Sequence, residues 1–315
     1  MLVKLVCNAM VDKQNSSMFA PAITVSILTS LAWATAGIFV KSLGEISPFF
    51  IIWSRLFLAT FLIYILGRHS VSIHHILSFG RGQRISWLCA SLMTGYYTLT
   101  TGAFLLAPVS LIALAISLSP VFIILARLVE REKVLGREIL GCAVALLGLA
   151  IFLFYVNDDL TLDNQYSLLL GLGLGIIAGA LKAFYSLILW KMNNYPHVNL
   201  GDSYSLTFKT FFIGSIIFLP FAIHTVPNFD FSLKVFLLLV GLGMLSTAIP
   251  TLMNSYASKR VNPTAHTMIS LSVPMLASIL AFLFLGERIS IVQVFGIGVT
   301  LFGIIITIKP LSLST

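Results

Sequence analysis

Runs of about 20 apolar residues, each enough to cross a bilayer core of about 30 Å, recur along the whole chain. They predict ten membrane helices over 21–41, 48–67, 85–107, 109–128, 138–156, 167–190, 203–224, 234–257, 263–285 and 290–308. Short polar segments separate them, and none is long enough for a separate soluble domain. Within some runs the pattern is amphipathic in an unusual sense. The eighth carries Thr247, Thr251, Asn254, Ser255 and Ser258 on one face, and the third carries Thr94, Tyr97, Thr98 and Thr101 in the same manner. Such stripes are expected to line a polar core, although hydroxyls also bond to their own backbone four residues back.

The pattern repeats about 155 positions apart. One copy reads Ser117-Leu118-Ser119-Pro120, then Glu132-Lys133, Gly141 and Gly148; the other reads Leu271-Ser272-Val273-Pro274, then Glu287-Arg288, Gly296 and Gly303. Both glutamates stand nine residues before one glycine and sixteen before the next. Tyr97 and Thr101 have Thr251 and Ser255 as repeat mates, and Arg55 has Lys209. The expected architecture is an all-α integral membrane protein with ten transmembrane helices in two inverted five-helix repeats. A tail over 1–20 precedes one repeat over 21–156 and a second over 167–309. Five spans per unit is an odd number, so the second unit starts on the opposite side. Paired inverted repeats with broken helices are the build of a secondary transporter.

Composition agrees. Charged residues make up 10% of the chain and hydrophobic residues 58%, against about a quarter charged in soluble domains. The net charge of +8 is a topology signal. Lys41, Lys234 and Arg288 fall on one side of the predicted spans, Arg55, Lys182 and Lys209 within them, and the other thirteen of 19 basic residues on the opposite side. Lys and Arg accumulate on the cytoplasmic side, so both termini are expected there. The same distribution argues against nucleic-acid binding, because the charges sit in short loops and not on one soluble face. The first twenty residues read as a tail and not a cleaved signal, since Asp12, Lys13, Gln14 and Asn15 interrupt the lead-in to the first span.

A helix with a central proline, a Glu-Lys or Glu-Arg turn and then Gly-x6-Gly resembles the EamA family of the drug/metabolite transporter superfamily. Pro120 with Glu132-Lys133, Pro274 with Glu287-Arg288, Trp33, and Pro48 followed by Arg55 carry the likeness. The resemblance implies a ten-helix exporter of small metabolites, a central cavity between the halves, and a bacterial inner membrane as its home. In the first copy Pro120 and Glu132 are one residue closer than Pro274 and Glu287.

Candidate residues follow from cost. A cation inside a membrane needs a partner or a use. Lys182 lies deep in the sixth span, on a face shared with Gly175, Ala178, Gly179, Tyr185 and Ser186. Either it faces a cavity or it snorkels to the interface. Arg55 is expected to cap helix carbonyls; Lys209 divides between snorkelling and cavity. His266 and Ser270 extend a polar face on the ninth span, where a neighbouring helix or a proton are the uses for the histidine. Trp33, Tyr97, Phe184 and Tyr185 are expected to form an aromatic wall. Substrate contacts are thus expected at Lys182, Trp33, Tyr97, Thr101, Tyr185, Thr251, Asn254, Ser255, His266 and Ser270. Pro120, Pro274, Arg55, Lys209, Glu132 and Glu287 are expected to serve packing and gating. The four repeat glycines suit close helix packing, as do Gly171, Gly175 and Gly179 inside a monomer.

Absences narrow the chemistry. No Asp or Glu is expected inside a span, so proton exchange through a membrane carboxylate is a poor template. The chain has no Gly-Lys-Ser/Thr phosphate loop. Cys7, Cys89 and Cys142 form neither a disulfide framework nor a zinc site, and His74-His75 lacks spaced partners. No metal or cofactor is expected; the partners are a small-molecule substrate and membrane lipids. An amino-acid-like zwitterion or anion is the expected substrate. An organic-phosphate or nucleotide-sugar exchanger is the alternative, and a second cation beside Lys182 favours it. A multi-pass membrane enzyme or lipid-handling protein requires a pocket opening sideways to lipid. The charge asymmetry predicts that a cysteine at Asp159 is labelled from outside and one at Gly82 only after permeabilisation; the reverse labelling pattern removes the topology.

Overall fold

The computed structural model describes residues 22–67, 81–153, 162–193, 203–225, 232–286 and 290–308. Glu287, Arg288, Asp159, His74, His75 and Cys7 lie outside them. Among the described residues all regular structure is helical. We number the helices α1 (Ala22–Ser42), α2 (Pro48–Gly67), α3 (Arg81–Leu106), α4 (Val109–Val129) and α5 (Gly136–Leu153). They continue as α6 (Leu162–Asn193), α7 (Ser203–Thr225), α8 (Leu233–Ser258), α9 (Pro263–Phe284) and α10 (Ile291–Ile308). Local chemistry sets several boundaries. Pro48 and Pro263 stand at first helical positions, where a missing N–H costs nothing. Asn262 accepts from the Thr264 N–H, and Ser232 from that of Val235. Gly286 ends α9 at φ +70°, where only glycine is unstrained.

Seven of these helices, α1, α2, α4 and α6 to α9, are long and apolar enough to cross a membrane. The others fall short of that description for visible reasons. α3 has 26 residues, about 39 Å at 1.5 Å each, but its hydroxyl stripe and Arg84 dilute its apolar character. α5 and α10 are described over 18 residues each, and α5 opens on Arg137 and Glu138. The molecule is inside-out relative to a soluble protein. Phe57, Phe61, Ile177, Leu283 and Phe302 are exposed, whereas Ser26, Arg55, Lys182, Thr247 and His266 are buried. Only lipid can cover such a surface, so this is a multi-pass membrane protein.

Two helices break where the repeated prolines stand. α4 runs as Val109–Ile116, turns at Ser117–Leu118, and resumes as Ser119–Val129 with Pro120 in its first turn. α9 runs as Pro263–Ile269, turns at Ser270–Leu271, and resumes as Ser272–Leu285 with Pro274 near its start. Proline supplies no N–H, and nearby hydroxyls take up loosened carbonyls: Ser117 donates to Ala113 O at 2.7 Å, Ser119 to Ile116 O at 2.7 Å and Ser272 to Ile269 O at 2.8 Å. α8 is irregular in another way, with a π-helical stretch over Gly241–Ala248.

Positions equivalent in the repeat touch one another. Thr60 Oγ1 and Ser215 Oγ, 155 residues apart, are 3.2 Å apart. Thr300 Oγ1 donates to Ala145 O, also 155 residues away, at 3.3 Å. The Tyr97 and Thr251 hydroxyls share a hydrogen bond. α5 and α10 pack antiparallel through the repeat glycines, Gly141 against Gly303 and Gly148 against Gly296. Gly171, Gly175 and Gly179 let α6 close on Ala107, Ala115 and the Ile116 backbone.

A Cβ at Gly303 would stand 2.5 Å from Ala145 N and 2.6 Å from Gly141 O, backbone atoms that cannot yield, whereas Gly298 faces open space. Gly303→Ala is expected to lower stability by about 2 kcal/mol, as overpacking does. Gly298→Ala is expected to hold or raise it by about 0.5 kcal/mol. Thermal melting in one detergent, with both variants side by side, checks the contrast.

Candidate substrate cavity

The helix breaks matter because they border a cavity. Its walls are Trp33, Ala34 and Ala36 of α1, Arg55 of α2, Tyr96, Tyr97, Thr100 and Phe104 of α3, Ala113, Ile116 and Ser117 of α4, Lys182 of α6, and Ser270, Val273 and Ala277 of α9. Both breaks thus put a serine into the wall. The cavity volume is about 20 Å³, room for about one water. The state described is contracted.

Lys182 is buried, with its Nζ 4.1 Å from the centroid of the Trp33 ring. A desolvated cation–π contact of this kind contributes about 2 kcal/mol. The snorkelling arrangement is therefore not the one adopted. Trp33 is fixed in turn, its Nε1 donating to Tyr97 Oη at 3.1 Å. The face of α6 that carries Lys182 also buries Gly175, Ala178, Gly179, Tyr185 and Ser186. Phe184, placed by expectation in the aromatic wall, is 42% exposed instead. Two residues from Lys182 is about 200° around a helix, so it points to lipid.

Arg55 departs from its expected role. It caps no carbonyl among the described contacts. Its Nη1 donates to Thr101 Oγ1 at 2.6 Å, its Nε and Nη2 to Thr247 Oγ1 at 3.1 and 3.0 Å, and it stacks 4.7 Å over the Tyr97 ring. It belongs to the cavity wall. Lys209, its repeat mate, is buried elsewhere, against Ser86 at 3.4 Å and the Trp87 ring at 5.8 Å. The cavity wall contains two cations and no carboxylate.

Of the expected substrate contacts, Lys182, Trp33, Tyr97 and Ser270 stand in the wall together. Thr101 and Thr251 stand behind it as partners of Arg55 and Tyr97. Tyr185, Asn254, Ser255 and His266 are buried outside the wall, and of these His266 meets Asn254 and also Ser26. The wall also holds Tyr96, Thr100 and Phe104, whose four-residue spacing puts them on one face of α3, and Ser117, which the α4 break brings in.

Charged residues also gather at one end of the bundle. Arg127 of α4 bonds Glu138 of α5 at 3.1 Å, Glu132 at 3.2 Å and Thr264 of α9 at 2.7 Å. Lys191 of α6 pairs with Glu130 and, at 3.1 Å, with Glu132. Glu132 is thus paired as expected of a turn carboxylate, but with Arg127 and Lys191 and not with adjacent Lys133. Glu138 corrects the expectation of acid-free spans. It sits in the first turn of α5 with its side chain 8% exposed, where it also accepts the Leu135 N–H.

Comparisons with known proteins fit this geometry. The model of the EamA-like transporter family matches residues 169–309, the stretch from α6 to α10. That family belongs to the drug/metabolite transporter superfamily. An uncharacterized transporter of Archaeoglobus fulgidus is 25% identical to this chain over 198 residues, 63% of this chain and 66% of that one. A solved crystal structure superposes with a TM-score of 0.73 at 16% identity, covering 94% of this chain and 99% of the other. At that identity the likeness is one of fold.

Removing one member of a buried ion pair strands the other, at a cost of about 3 kcal/mol, whereas an exposed pair contributes at most about 1 kcal/mol. Glu138→Gln is therefore expected to destabilise strongly and Glu132→Gln, 42% exposed, only slightly. Chemical denaturation of the two variants in parallel checks this.

Proposed function

We propose that this protein is a secondary transporter of the drug/metabolite type that carries a small anionic or zwitterionic metabolite by alternating access. The supporting observation is the wall itself, with Lys182 and Arg55 around one cavity and no carboxylate to neutralise them. Lys182 attracts the acidic end of the substrate, Ser117, Ser270 and Thr100 offer hydroxyls to its polar body, and Trp33 and Tyr97 cover its apolar part. All ten helices span the membrane in this reading, as two inverted five-helix repeats with both termini cytoplasmic, in a bacterial inner membrane. Contacts between repeat mates support it, since equivalent residues of two related units touch only near their common axis. The antiparallel glycine seam of α5 and α10 supports it too. Export is the direction that the family likeness implies. EamA relatives are transporters, and no nucleophile with an adjacent base stands in the cavity wall, so enzymatic catalysis is the weaker reading.

Arg55 in the wall favours a second reading within the class. Two cations suit a dianionic head, as in an organic phosphate or nucleotide sugar, better than a single carboxylate. Arg55 holds its planar donors on two threonines, and a phosphate is the ligand that fits such a fork.

A metabolite uptake screen into proteoliposomes, with and without a pH gradient, separates amino-acid-like substrates from phosphate esters. On the substrate found, Lys182→Met is expected to abolish most transport while the protein stays folded, because it keeps length and removes charge. Lys182→Arg is expected to retain part of it. A parental rate in Lys182→Met removes the reading.

A further inference from the structure

Away from the cavity wall, the cluster around His266 poses a question of proton count. The ring is fully buried. Its Nδ1 lies 3.0 Å from Ser26 Oγ of α1, and its Nε2 lies 2.7 Å from Asn254 Oδ1 of α8. Ser26 has one hydroxyl proton, which is directed to Ala22 O at 2.9 Å, so toward the ring Ser26 can only accept. Asn254 Oδ1 has no proton and also accepts. With partners on both nitrogens accepting, the arrangement fits a ring carrying two N–H groups, the imidazolium. A neutral ring fits after one small rotation. Either the Ser26 hydroxyl leaves Ala22 O for Nδ1, or the Asn254 amide turns over and offers Nδ2 to Nε2. That Nδ2 is buried and has no hydrogen-bond partner where it now stands. Both charge states can therefore be satisfied by turning a hydroxyl or an amide, with no helix movement.

What sets the charge is the surroundings. On α6, Lys182 stands in the same cavity wall as Ser270, which lies one turn from His266 and donates to its carbonyl at 3.2 Å, and Tyr185 lies one turn past Lys182 on that helix. α8 brings Tyr256, which packs with Ala22 and Ala265, and Lys259 stands just past its end, five residues from Asn254. α4 brings Arg127, which reaches Thr264 two residues before His266 and is itself bound to Glu138 and Glu132. α10 brings no titratable side chain among the described residues, and α1 brings only Lys41, about four turns from Ser26. No unpaired carboxylate faces the ring. Its neighbourhood is positive, and the nearest cation, Lys182, belongs to the cavity. An anion bound at Lys182 cancels that charge and makes the proton welcome on the ring.

We propose that His266 is a proton-binding site linked through Lys182 to the bound anion, so that the transporter takes up one proton together with its anionic substrate. The inference rests on the cavity reading given above. Linkage is reciprocal: the anion raises the proton affinity of His266, and the proton raises the affinity for the anion. The two then cross the membrane in the same direction.

The test reads the ring directly. Protein labelled with ¹⁵N-histidine is placed in lipid nanodiscs, and the six histidines are followed over pH; the His266 signal is the one lost in His266→Gln. In Lys182→Met the His266 midpoint is expected to rise by about one pH unit or more, a tenfold gain in proton affinity. In Lys182→Arg it should stay near the parental value. Lys182→Gln replaces the methionine variant if that one does not assemble. Asn254→Leu removes the acceptor at Nε2 and should lower the midpoint, which a merely structural histidine would not report. Equal midpoints in parent and Lys182→Met overturn the linkage, as does a ring that never titrates in either. Neither result depends on transport, so failure here is distinct from failure of the substrate reading.

Discussion

Cations buried without water need partners, and the partners chosen here leave the charge in place. Arg55 rests on the hydroxyls of Thr101 and Thr247, each of which gives its own proton to a backbone carbonyl, Tyr97 O and Leu242 O. Their lone pairs are thus free for the guanidinium. Lys182 rests on the face of Trp33. A carboxylate would bind either cation more strongly and would cancel it. Hydroxyls and a ring quadrupole reduce the cost of burial while keeping a positive potential in the cavity. The surrounding packing serves to bring these neutral partners within reach.

The irregular turn of α8 is one such device. In an α-helix Thr247 would bond back to the carbonyl four residues earlier; here it reaches Leu242 O, five residues back. The wide turn offsets the register of the helix at the place where α8 meets α2. Gly243 stands there too, and a Cβ on it would be 2.7 Å from Leu58 Cβ and 3.2 Å from Arg55 O. A close glycine, a π turn and a threonine aimed at a guanidinium thus coincide. Inserted turns of this kind tend to mark functional positions in helices. The broken α4 and α9 work by the same logic, since each interruption is tolerated only because hydroxyls or another helix re-satisfy the backbone. Ser119 touches both, its single hydroxyl proton shared between Ile116 O at 2.7 Å and Gly179 O of α6 at 3.1 Å.

Periodicity alone revealed the apolar helices, the small polar face around Lys182 and the repeated proline breaks, because those properties are local or depend on regular 3.6-residue spacing. It failed where regularity fails. Thr247 and Arg55 meet through a π turn, which shifts the face that an ideal helix would present. Phe184 and Tyr185 cannot both line one wall, because neighbours in a helix point about 100° apart. Glu138 escaped notice because a helix start predicted from hydropathy does not reveal that the first turn is buried under Arg127. Asn254 was legible as part of a polar stripe, but its partner His266 comes from another helix, and no spacing rule pairs them.

The charged cluster at the α4–α5 turn sets the electrostatic cost of parting the helices at that end. It mixes two kinds of bond. The Arg127–Glu138 pair is buried, with side chains 11% and 8% exposed, and both residues belong to the first five helices. The pairs of Lys191 with Glu130 and Glu132 join α6 to that unit and are wetter, with the carboxylates 47% and 42% exposed. Any separation of α6 and α9 from α4 and α5 must break the Lys191 pairs and the Arg127–Thr264 bond. It need not touch Arg127–Glu138. Exposed pairs are replaced by water at small cost, whereas a buried pair is not. The expensive electrostatics therefore lie within one unit and the cheap ones across the seam. One hundred and fifty-five residues on from Arg127 stands Phe282, so the sequence repeat does not duplicate this cationic anchor. The two repeated segments, alike in their helix breaks and glycine seam, thus differ in the charge they carry at this end.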